Sequence, residues 1–284
     1  MKTIYLNGRY LRPEQANISV YDRGFLFGDS VYEVIARING QFLDLEDHMK
    51  RLYNSLQALK IPDPQINIEN MLSELTRRNG MSEKDGLIYL HISRGESKPR
   101  SHAFTKSSPT VFCDINLANF PKYDRFSRFK VITHPDHRWS QCHIKSTNLI
   151  PNTVAYNQAL ENDAVEAILH RDGQIVEGSK SNVFIVKNNI VMTPPLRNYM
   201  LGGTVRKRTL QLLHQLKIPH HESNISVDEL LKADEVWITS TSRLINPITQ
   251  IDDHILTREN FGFIWQRVSD AFHKQLKQTS TSHV

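Results

Sequence analysis

A lysine in a polar run is the first residue of this sequence whose type and setting could support covalent chemistry. Lys145 lies in the run His-Ile-Lys-Ser-Thr-Asn at 143–148. A lysine amine that has lost its proton can attack an aldehyde and form a Schiff base, and the same amine can later move a proton on a bound substrate. Most lysines are simply solvated, so Lys145 alone predicts no function.

Three further polar segments follow Lys145 in order along the chain. The first, Glu-Gly-Ser-Lys-Ser-Asn at 177–182, leads into an apolar strand predicted at 182–187. The second, Leu-Gly-Gly-Thr-Val-Arg at 201–206, begins a predicted helix, and the third, Thr-Ser-Thr-Ser at 239–242, follows a predicted strand. Each segment is short, and the set is specific because of its order and separations.

With two earlier motifs, these segments resemble the class IV (fold-type IV) aminotransferases. The earlier motifs are Asp-Arg-Gly-Phe-Leu-Phe-Gly-Asp at 22–29 and His-x-x-Arg-Leu at 48–52. The resemblance extends from Tyr5 to Asp252, nearly the whole chain. The family includes D-amino acid aminotransferases, branched-chain aminotransferases, (R)-amine transaminases and aminodeoxychorismate lyase.

The resemblance implies that the enzyme uses pyridoxal 5'-phosphate, held as a Schiff base on Lys145. Glu177 resembles the family's carboxylate that pairs with the pyridine nitrogen and keeps it protonated, so that the ring can accept electrons. Arg51 resembles the family's phosphate-binding arginine. The other cofactor-binding residues implied by the resemblance are Leu201, Gly203, Thr204, Val205, Ser240 and Thr241.

The phosphate segment departs from the family pattern in one respect. The family usually has Gly-Ile-Thr-Arg or Gly-Val-Thr-Arg, whereas this chain has Gly203-Thr204-Val205-Arg206, with the threonine one place early. Backbone N–H groups at a helix N-terminus still favour an anion. The sequence therefore leaves open which side chain contacts the phosphate.

A polar loop at 94–108 separates the subfamilies. D-amino acid aminotransferases have an Arg-x-His here, matched by Arg100 and His102, and a tyrosine that matches Tyr32. The planar fork of an arginine suits a carboxylate, so the resemblance implies that these residues bind the substrate carboxylate. We therefore expect a ping-pong transfer from a D-amino acid such as D-alanine to an α-keto acid, 2-oxoglutarate or pyruvate.

Three alternatives stay open on the sequence. A branched-chain L-amino acid aminotransferase is the first, because those relatives share the cofactor motifs but lack Arg-x-His. The second is a lyase of the aminodeoxychorismate type, which would cleave a C–C bond. The third is a protein that binds the cofactor without catalysis.

Composition limits the other classes of function. The 284 residues carry a formal net charge of +5, but Lys and Arg are spread along the chain, which disfavours nucleic-acid binding. The start lacks the apolar core of a signal peptide, no segment reaches membrane-spanning length, and there are two cysteines, so we expect a cytoplasmic protein. We expect no metal, because the His-Pro-Asp-His run at 134–137 has no further ligands at useful spacing.

The elements that must position these residues form a mixed α/β (α+β) pattern. Hydrophobic periodicity and turn signals predict strands at 3–11, 31–37, 41–43, 86–93, 110–116, 130–133, 164–170, 182–187, 190–193 and 235–239. The same signals predict helices at 45–59, 70–79, 153–161, 204–216, 227–231 and 260–278. We expect a smaller N-terminal domain at 1–120, a larger barrel-like cofactor-binding domain at 121–284 and, from the resemblance, a homodimer.

Overall fold

The chain forms two compact units in the computed structural model, which describes residues 1–104, 106–124, 126–256 and 262–278. The first unit comprises Met1–Asn119 together with Ile144–Asn148, and the second comprises Phe120–His143 together with Leu149–Val284. The domain boundary at residue 120 stays a prediction. Strands and helices are mixed in both units, and the predicted fold class is confirmed by both the structure and the solved relatives described below.

The first unit is built on one antiparallel sheet. Its strands are β1 (Ile4–Leu6), β2 (Arg9–Leu11), β3 (Ser30–Ile38), β4 (Gln41–Phe42), β5 (Gly86–Ser93) and β6 (Thr110–Leu117). Its helices are α1 (Arg23–Phe27), α2 (Leu45–Ala58) and α3 (Ile68–Arg78), with a 3-10 turn at Pro13–Gln15. The strand order is β2-β1-β6-β5-β3-β4.

Alternation along β3 decides which side chains face the core of this unit. Val31 and Ile35 are fully buried and pack with Leu52 of α2, whereas Tyr32, between them, points to the other face and is half-buried. α2 is amphipathic, with its buried leucines at the spacing of one helix face. The predicted hairpins and both long helices are therefore confirmed, with shifts of one or two residues at their ends.

Helix α1 was not predicted, because the sequence at 22–24 indicated only a break. Asp22 has extended backbone angles and accepts the N–H of Gly24 with its side chain over 2.8 Å, which starts the helix. Gly28 ends it at φ 65°. The helix is one turn long, too short for hydrophobic periodicity to reveal it.

The second unit contains two sheets. Its strands are β7 (Lys130–Pro135), β8 (Ala167–Arg171), β9 (Gln174–Gly178), β10 (Asn182–Lys187), β11 (Ile190–Thr193), β12 (His220–Glu222), β13 (Glu235–Ser240), β14 (Leu244–Ile248), β15 (Gln250–Ile251) and β16 (His254–Ile255). Its helices are α4 (Ile150–Glu161), α5 (Thr204–Gln215), α6 (Val227–Leu231) and α7 (Phe263–Gln278). One sheet has the order β12-β11-β10-β13-β14 and the other β16-β15-β7-β8-β9.

A single apolar cluster joins the two sheets of the second unit. Val131 and Ile168 from one sheet pack in the same core as Val183 and Val236 from the other. β9 and β12 were not predicted as strands, and β14 to β16 follow a polar turn that gave no periodic signal. The predicted start of the last helix, 260–261, lies outside the described residues. Among the described helices, none is long and apolar enough to cross a membrane.

Candidate active site

The segment that carries Lys145 packs along β3 in the first unit. Tyr32 donates its backbone N–H to the carbonyl of Lys145 over 3.0 Å, and Ser146 forms a bridge with Val31. The N–H of Lys145 donates to the Oγ of Ser55 over 3.2 Å. The backbone of Lys145 is therefore held on both sides by groups that do not involve its amine.

The amine of Lys145 lies against an aromatic ring. Its Nζ atom is 4.2 Å from the centre of the Tyr32 ring, and the side chain is half-buried. Tyr89, on the neighbouring strand, has its ring centre 5.7 Å from that of Tyr32, and its hydroxyl is 3.2 Å from Nδ1 of His91. Burial raises the pKa of Tyr89 to about 12, which keeps its hydroxyl protonated at neutral pH. The structure thus brings together Lys145 and Tyr32, both predicted from the sequence.

Arg51 is held by a buried carboxylate that the sequence analysis missed. Its Nε and Nη2 atoms donate to the two carboxylate oxygens of Glu33 over 2.8 and 2.7 Å, and Nδ1 of His48 lies 2.7 Å from Glu33. Although burial opposes ionisation, Arg51 and then His48 hold the pKa of Glu33 at about 2. A signal existed: Glu33 occupies an inward position of β3 between Val31 and Ile35, where an acid needs a buried partner.

Arg100 and His102 lie on an exposed loop of the first unit. The Arg100 guanidinium is 4.5 Å from the ring centre of Phe27, and the His102 ring is 5.2 Å from the same ring. Within the described part of the unit, neither residue forms a hydrogen bond, ion pair or ring contact with Tyr32. The carboxylate-binding residues predicted from the sequence are therefore not brought together within one chain.

Glu177 is the buried acid of the second unit. Its Oε1 atom accepts a 2.6 Å hydrogen bond from Nη1 of Arg138, and both oxygens lie 3.1 Å from the backbone nitrogen of Leu201. Burial raises the pKa of Glu177 to about 7, against the opposing effect of Arg138. A carboxyl group that titrates near neutral pH can exchange a proton with a basic nitrogen of a bound ring.

Arg138 extends this site into a row of alternating charges. It also donates to Asp136 through Nε and Nη2, over 2.8 and 3.0 Å, and Nε of Arg171 donates to the same carboxylate over 2.8 Å. The run at 134–137 thus supplies an ion-pair partner. Over the residues that the structure describes, there is no group of three or more His, Cys, Asp or Glu side chains arranged to hold a metal ion.

One amide side chain connects Glu177 to the start of α5. Asn182 donates through Nδ2 to Oε2 of Glu177 over 3.2 Å and to the carbonyl of Leu201 over 2.9 Å. Its Oδ1 accepts the N–H of Gly203 over 3.1 Å. The predicted residues Glu177, Leu201 and Gly203 are therefore brought together by Asn182, to which the sequence analysis gave no role.

The remaining predicted residues lie at the ends of two elements of the second unit. Thr204 and Val205 form the buried first turn of α5, where backbone N–H groups and the helix dipole favour an anion. Ser240 ends β13, and its Oγ accepts the N–H of Arg243 over 3.2 Å, so Ser240 and Thr241 lie in a tight turn. Thr239, just before them, pairs with Asn182 across the β10–β13 ladder.

Comparison with known proteins identifies the family. The profile described as "Amino-transferase class IV" matches residues 30–251. The chain is 35% identical to the D-alanine aminotransferase of Bacillus licheniformis over 279 residues, which covers 97% of each protein. It is 36% identical to that of Listeria monocytogenes over 254 residues, covering 88% of this chain and 87% of the relative.

Solved structures give the same result for the fold. The branched-chain aminotransferase from Thermoproteus uzoniensis with norvaline superposes with a TM-score of 0.85 at 27% identity, covering 97% of this chain and 94% of that one. A Thermus branched-chain aminotransferase with pyridoxamine 5'-phosphate, at 23% identity and a TM-score of 0.87, supports the fold alone. The chain belongs to the class IV aminotransferases, which confirms the family resemblance of the sequence motifs.

Proposed function

We propose that this enzyme is a pyridoxal-phosphate-dependent aminotransferase that moves the amino group of a D-amino acid, such as D-alanine, to 2-oxoglutarate or pyruvate. The observation that carries the substrate class is the similarity to D-alanine aminotransferases at 32–36% identity over nearly the whole chain. The Arg-x-His at residues 100–102 supports the same choice over a branched-chain L-substrate.

The side chains of both units fit the cofactor chemically. Lys145 offers the amine for a Schiff-base link to the cofactor aldehyde, and Glu177 offers a buried carboxyl group for the pyridine nitrogen. When bound, pyridoxal phosphate supplies an aromatic ring that accepts electrons from the substrate. The first turn of α5 and the Arg51 guanidinium, oriented by Glu33, offer donors for its phosphate.

The residues of the chain then have separate tasks. Lys145, once displaced by the substrate amine, moves the proton that leaves the substrate Cα. Glu177 holds a proton at the ring nitrogen, and Arg138 and Asn182 fix the direction of its carboxylate. Leu201 offers an apolar side chain for one face of the ring, and Ser240 and Thr241 offer hydroxyl donors near the phosphate.

The substrate carboxylate is bound by Tyr32, Arg100 and His102. Because Tyr32 makes no contact with the described part of the loop in its own chain, we propose that the loop of a second copy completes the site in a homodimer. Both cysteines, Cys113 and Cys142, are free and buried thiols, which supports a reducing, cytoplasmic location.

The function is tested by comparing D-alanine with L-leucine as amino donor, with 2-oxoglutarate or pyruvate as acceptor. We expect turnover of D-alanine; turnover of L-leucine alone would support the branched-chain alternative. Release of pyruvate from an aminodeoxychorismate-type substrate without an amino acceptor would support a lyase.

The covalent role of Lys145 is tested separately from substrate choice. Borohydride reduction of the cofactor-loaded enzyme should fix the cofactor on the peptide that contains Lys145, as detected by mass spectrometry. Lys145→Arg should prevent this labelling while the protein still folds, because the backbone contacts of Lys145 do not involve the amine. Labelling of another lysine would contradict the assignment.

A further inference from the structure

Arg23 is a buried arginine of α1 that belongs to an ion-pair network away from the cofactor residues. Its Nε donates to Oδ2 of Asp29 over 2.7 Å, and Arg94 donates to both oxygens of Asp29 over 2.7 and 2.9 Å. Burial opposes ionisation of Asp29, but hydrogen bonds from Arg94 and Arg23 lower its pKa. Arg94 also donates to the carbonyls of Leu59 and Lys60 after α2, over 2.7 Å each. The network is thus fixed to the main body of the first unit.

The free end of Arg23 holds the exposed loop by its backbone. Nη1 donates to the carbonyl of Ser101 over 2.5 Å and to that of Ala103 over 3.4 Å, and Nη2 donates to the carbonyl of His102 over 3.4 Å. These bonds engage no side chain of the loop. The side chains of Arg100 and His102 therefore stay exposed while the backbone that carries them is held.

Two aromatic rings complete this arrangement. Phe27, on α1, has the guanidinium groups of Arg23 and Arg100 at 4.7 and 4.5 Å from its ring centre and the His102 ring at 5.2 Å. Phe104 has the guanidinium of Arg94 at 3.7 Å from its ring centre. A cation over an aromatic face is attracted to it, so Phe27 restricts the directions that Arg100 can take.

We propose that Arg23 and Phe27 are positioning residues for carboxylate recognition by Arg100 and His102. Recognition of a planar carboxylate requires the donors to be ordered before binding, and an exposed polar loop has no such order of its own. Arg23 supplies it to the backbone and Phe27 to the side chains. This inference rests on the proposed role of Arg100 and His102, and its first test does not depend on that role.

The first test measures how firmly the loop is held, using trypsin on the full chain with and without cofactor. The exposed bonds after Arg100 and Lys106 report opening of the loop, since the bond after Lys98 precedes a proline and resists trypsin. Arg23→Lys keeps the charge but cannot reach both Asp29 and the carbonyls, so we expect cleavage at least about tenfold faster.

The matched control is Arg37→Lys. Arg37 is also buried in the first unit and also donates to main-chain carbonyls, those of Gly40, Met81, Ser82 and Lys84. It makes no contact with the described residues of the loop, so we expect the wild-type cleavage rate at Arg100 and Lys106. Equal acceleration by both substitutions would mean general loosening of the unit and would overturn the inference.

The second test separates substrate binding from turnover. Arg23→Lys and Phe27→Leu should each raise KM for D-alanine about five- to tenfold while kcat stays within about twofold, because neither residue contacts the reacting atoms. Phe25→Leu is the control for Phe27, since Phe25 lies exposed on the same helix without a ring contact to the described loop residues. It should leave KM unchanged.

The outcomes distinguish this inference from the proposed function. If Arg100→Ala raises KM but Arg23→Lys and Phe27→Leu do not, the positioning role is wrong and the carboxylate assignment stands. If Arg100→Ala leaves D-alanine turnover unchanged, the carboxylate assignment fails. Should Arg23→Lys fail to fold, Phe27→Leu with its Phe25 control decides the question alone.

Discussion

The Nη1 atom of Arg138 lies 2.6 Å from Oε1 of Glu177 inside the second unit, and both side chains are almost fully buried. The guanidinium is shared, because Arg138 also pairs with Asp136. Burial dominates the titration of Glu177, whose pKa is raised to about 7 even with Arg138 in contact. The acid proposed to pair with the ring nitrogen is therefore poised to titrate near neutral pH.

The titration of Glu177 predicts a pH-dependent stability in the cofactor-free protein. Glu177 has an ordinary pKa of 4.5 and a folded pKa of about 7, so between these values the folded chain keeps a proton that the unfolded chain has released. The free energy of unfolding should fall as the pH rises through this window, by on the order of 3 kcal/mol, and level off above it. Urea unfolding from pH 4.5 to 8.5 measures this fall. Glu177→Gln should lack it, and the same pH profile in both proteins would refute the assignment.

The buried Glu33 should be far more important for stability than an exposed acid with similar partners. Glu33→Gln leaves the Arg51 guanidinium without its carboxylate, which should cost about 3–5 kcal/mol in the free energy of unfolding at pH 7 and weaken cofactor binding. Because the pKa of Glu33 is lowered to about 2, this contribution is present above pH 4.5 and is lost as the pH falls towards 2.

Glu74→Gln is the matched control for Glu33. Glu74 pairs with Arg77 and Arg78 at 2.8 and 2.6 Å, but on the surface of α3. Exposed ion pairs contribute little to stability, so its loss should change urea unfolding only slightly and cofactor affinity not at all. Comparable losses in the two variants would show that the burial of Glu33 is unimportant.

Gly203 should tolerate no side chain, whereas its neighbour should. A Cβ at Gly203 would lie 2.2 Å from Oδ1 of Asn182, the atom that accepts the Gly203 N–H. Gly203→Ala should therefore displace Asn182 from Glu177 and lower the affinity for pyridoxal phosphate at least about tenfold, as measured by fluorescence titration. A Cβ at Gly202 meets only Leu196, at 3.5 Å, so Gly202→Ala should bind the cofactor like wild type.

Gly28 should be sensitive to substitution because of its neighbour as well as its backbone angle. It has φ 65°, and a Cβ there would lie 2.7 Å from Oδ1 of Asn148, three residues beyond Lys145. Gly8 has φ 84° with nothing within 4 Å of a Cβ, so Gly8→Ala isolates the cost of the angle. Gly28→Ala should lower the melting temperature further than Gly8→Ala and should also reduce borohydride labelling of Lys145. Equal effects would show that the contact with Asn148 is not important.

Regular periodicity predicted the main elements of the fold, and the irregular parts were missed for physical reasons. The alternating strand β5 was predicted with its observed ends, and α2 to within one residue. α1 depends on one Asp22 cap, and β12 exists only through its parallel pairing with β11. Such elements are fixed by tertiary contacts, which leave no periodic trace in the sequence.

The site shows the same division. Motif order indicated Lys145 and Glu177, because the chemistry requires those residue types in those segments. The residues that orient them come from distant parts of the chain: Arg138 precedes Glu177 by 39 positions. The structure was needed to pair them, since no spacing rule connects an acid with an arginine that far away.

The placement of the Lys145 segment has a consequence for how the enzyme forms. The strand that receives this segment, β3, is complete more than a hundred residues before Lys145 is synthesised. Contacts between residues so far apart in sequence close large loops and are slow to form. A chain truncated before residue 144 would therefore lack both the nucleophile and the segment that pairs with Val31 of β3. We expect the reactive lysine to be acquired late in biosynthesis, so that immature chains cannot react prematurely with free pyridoxal phosphate at this position.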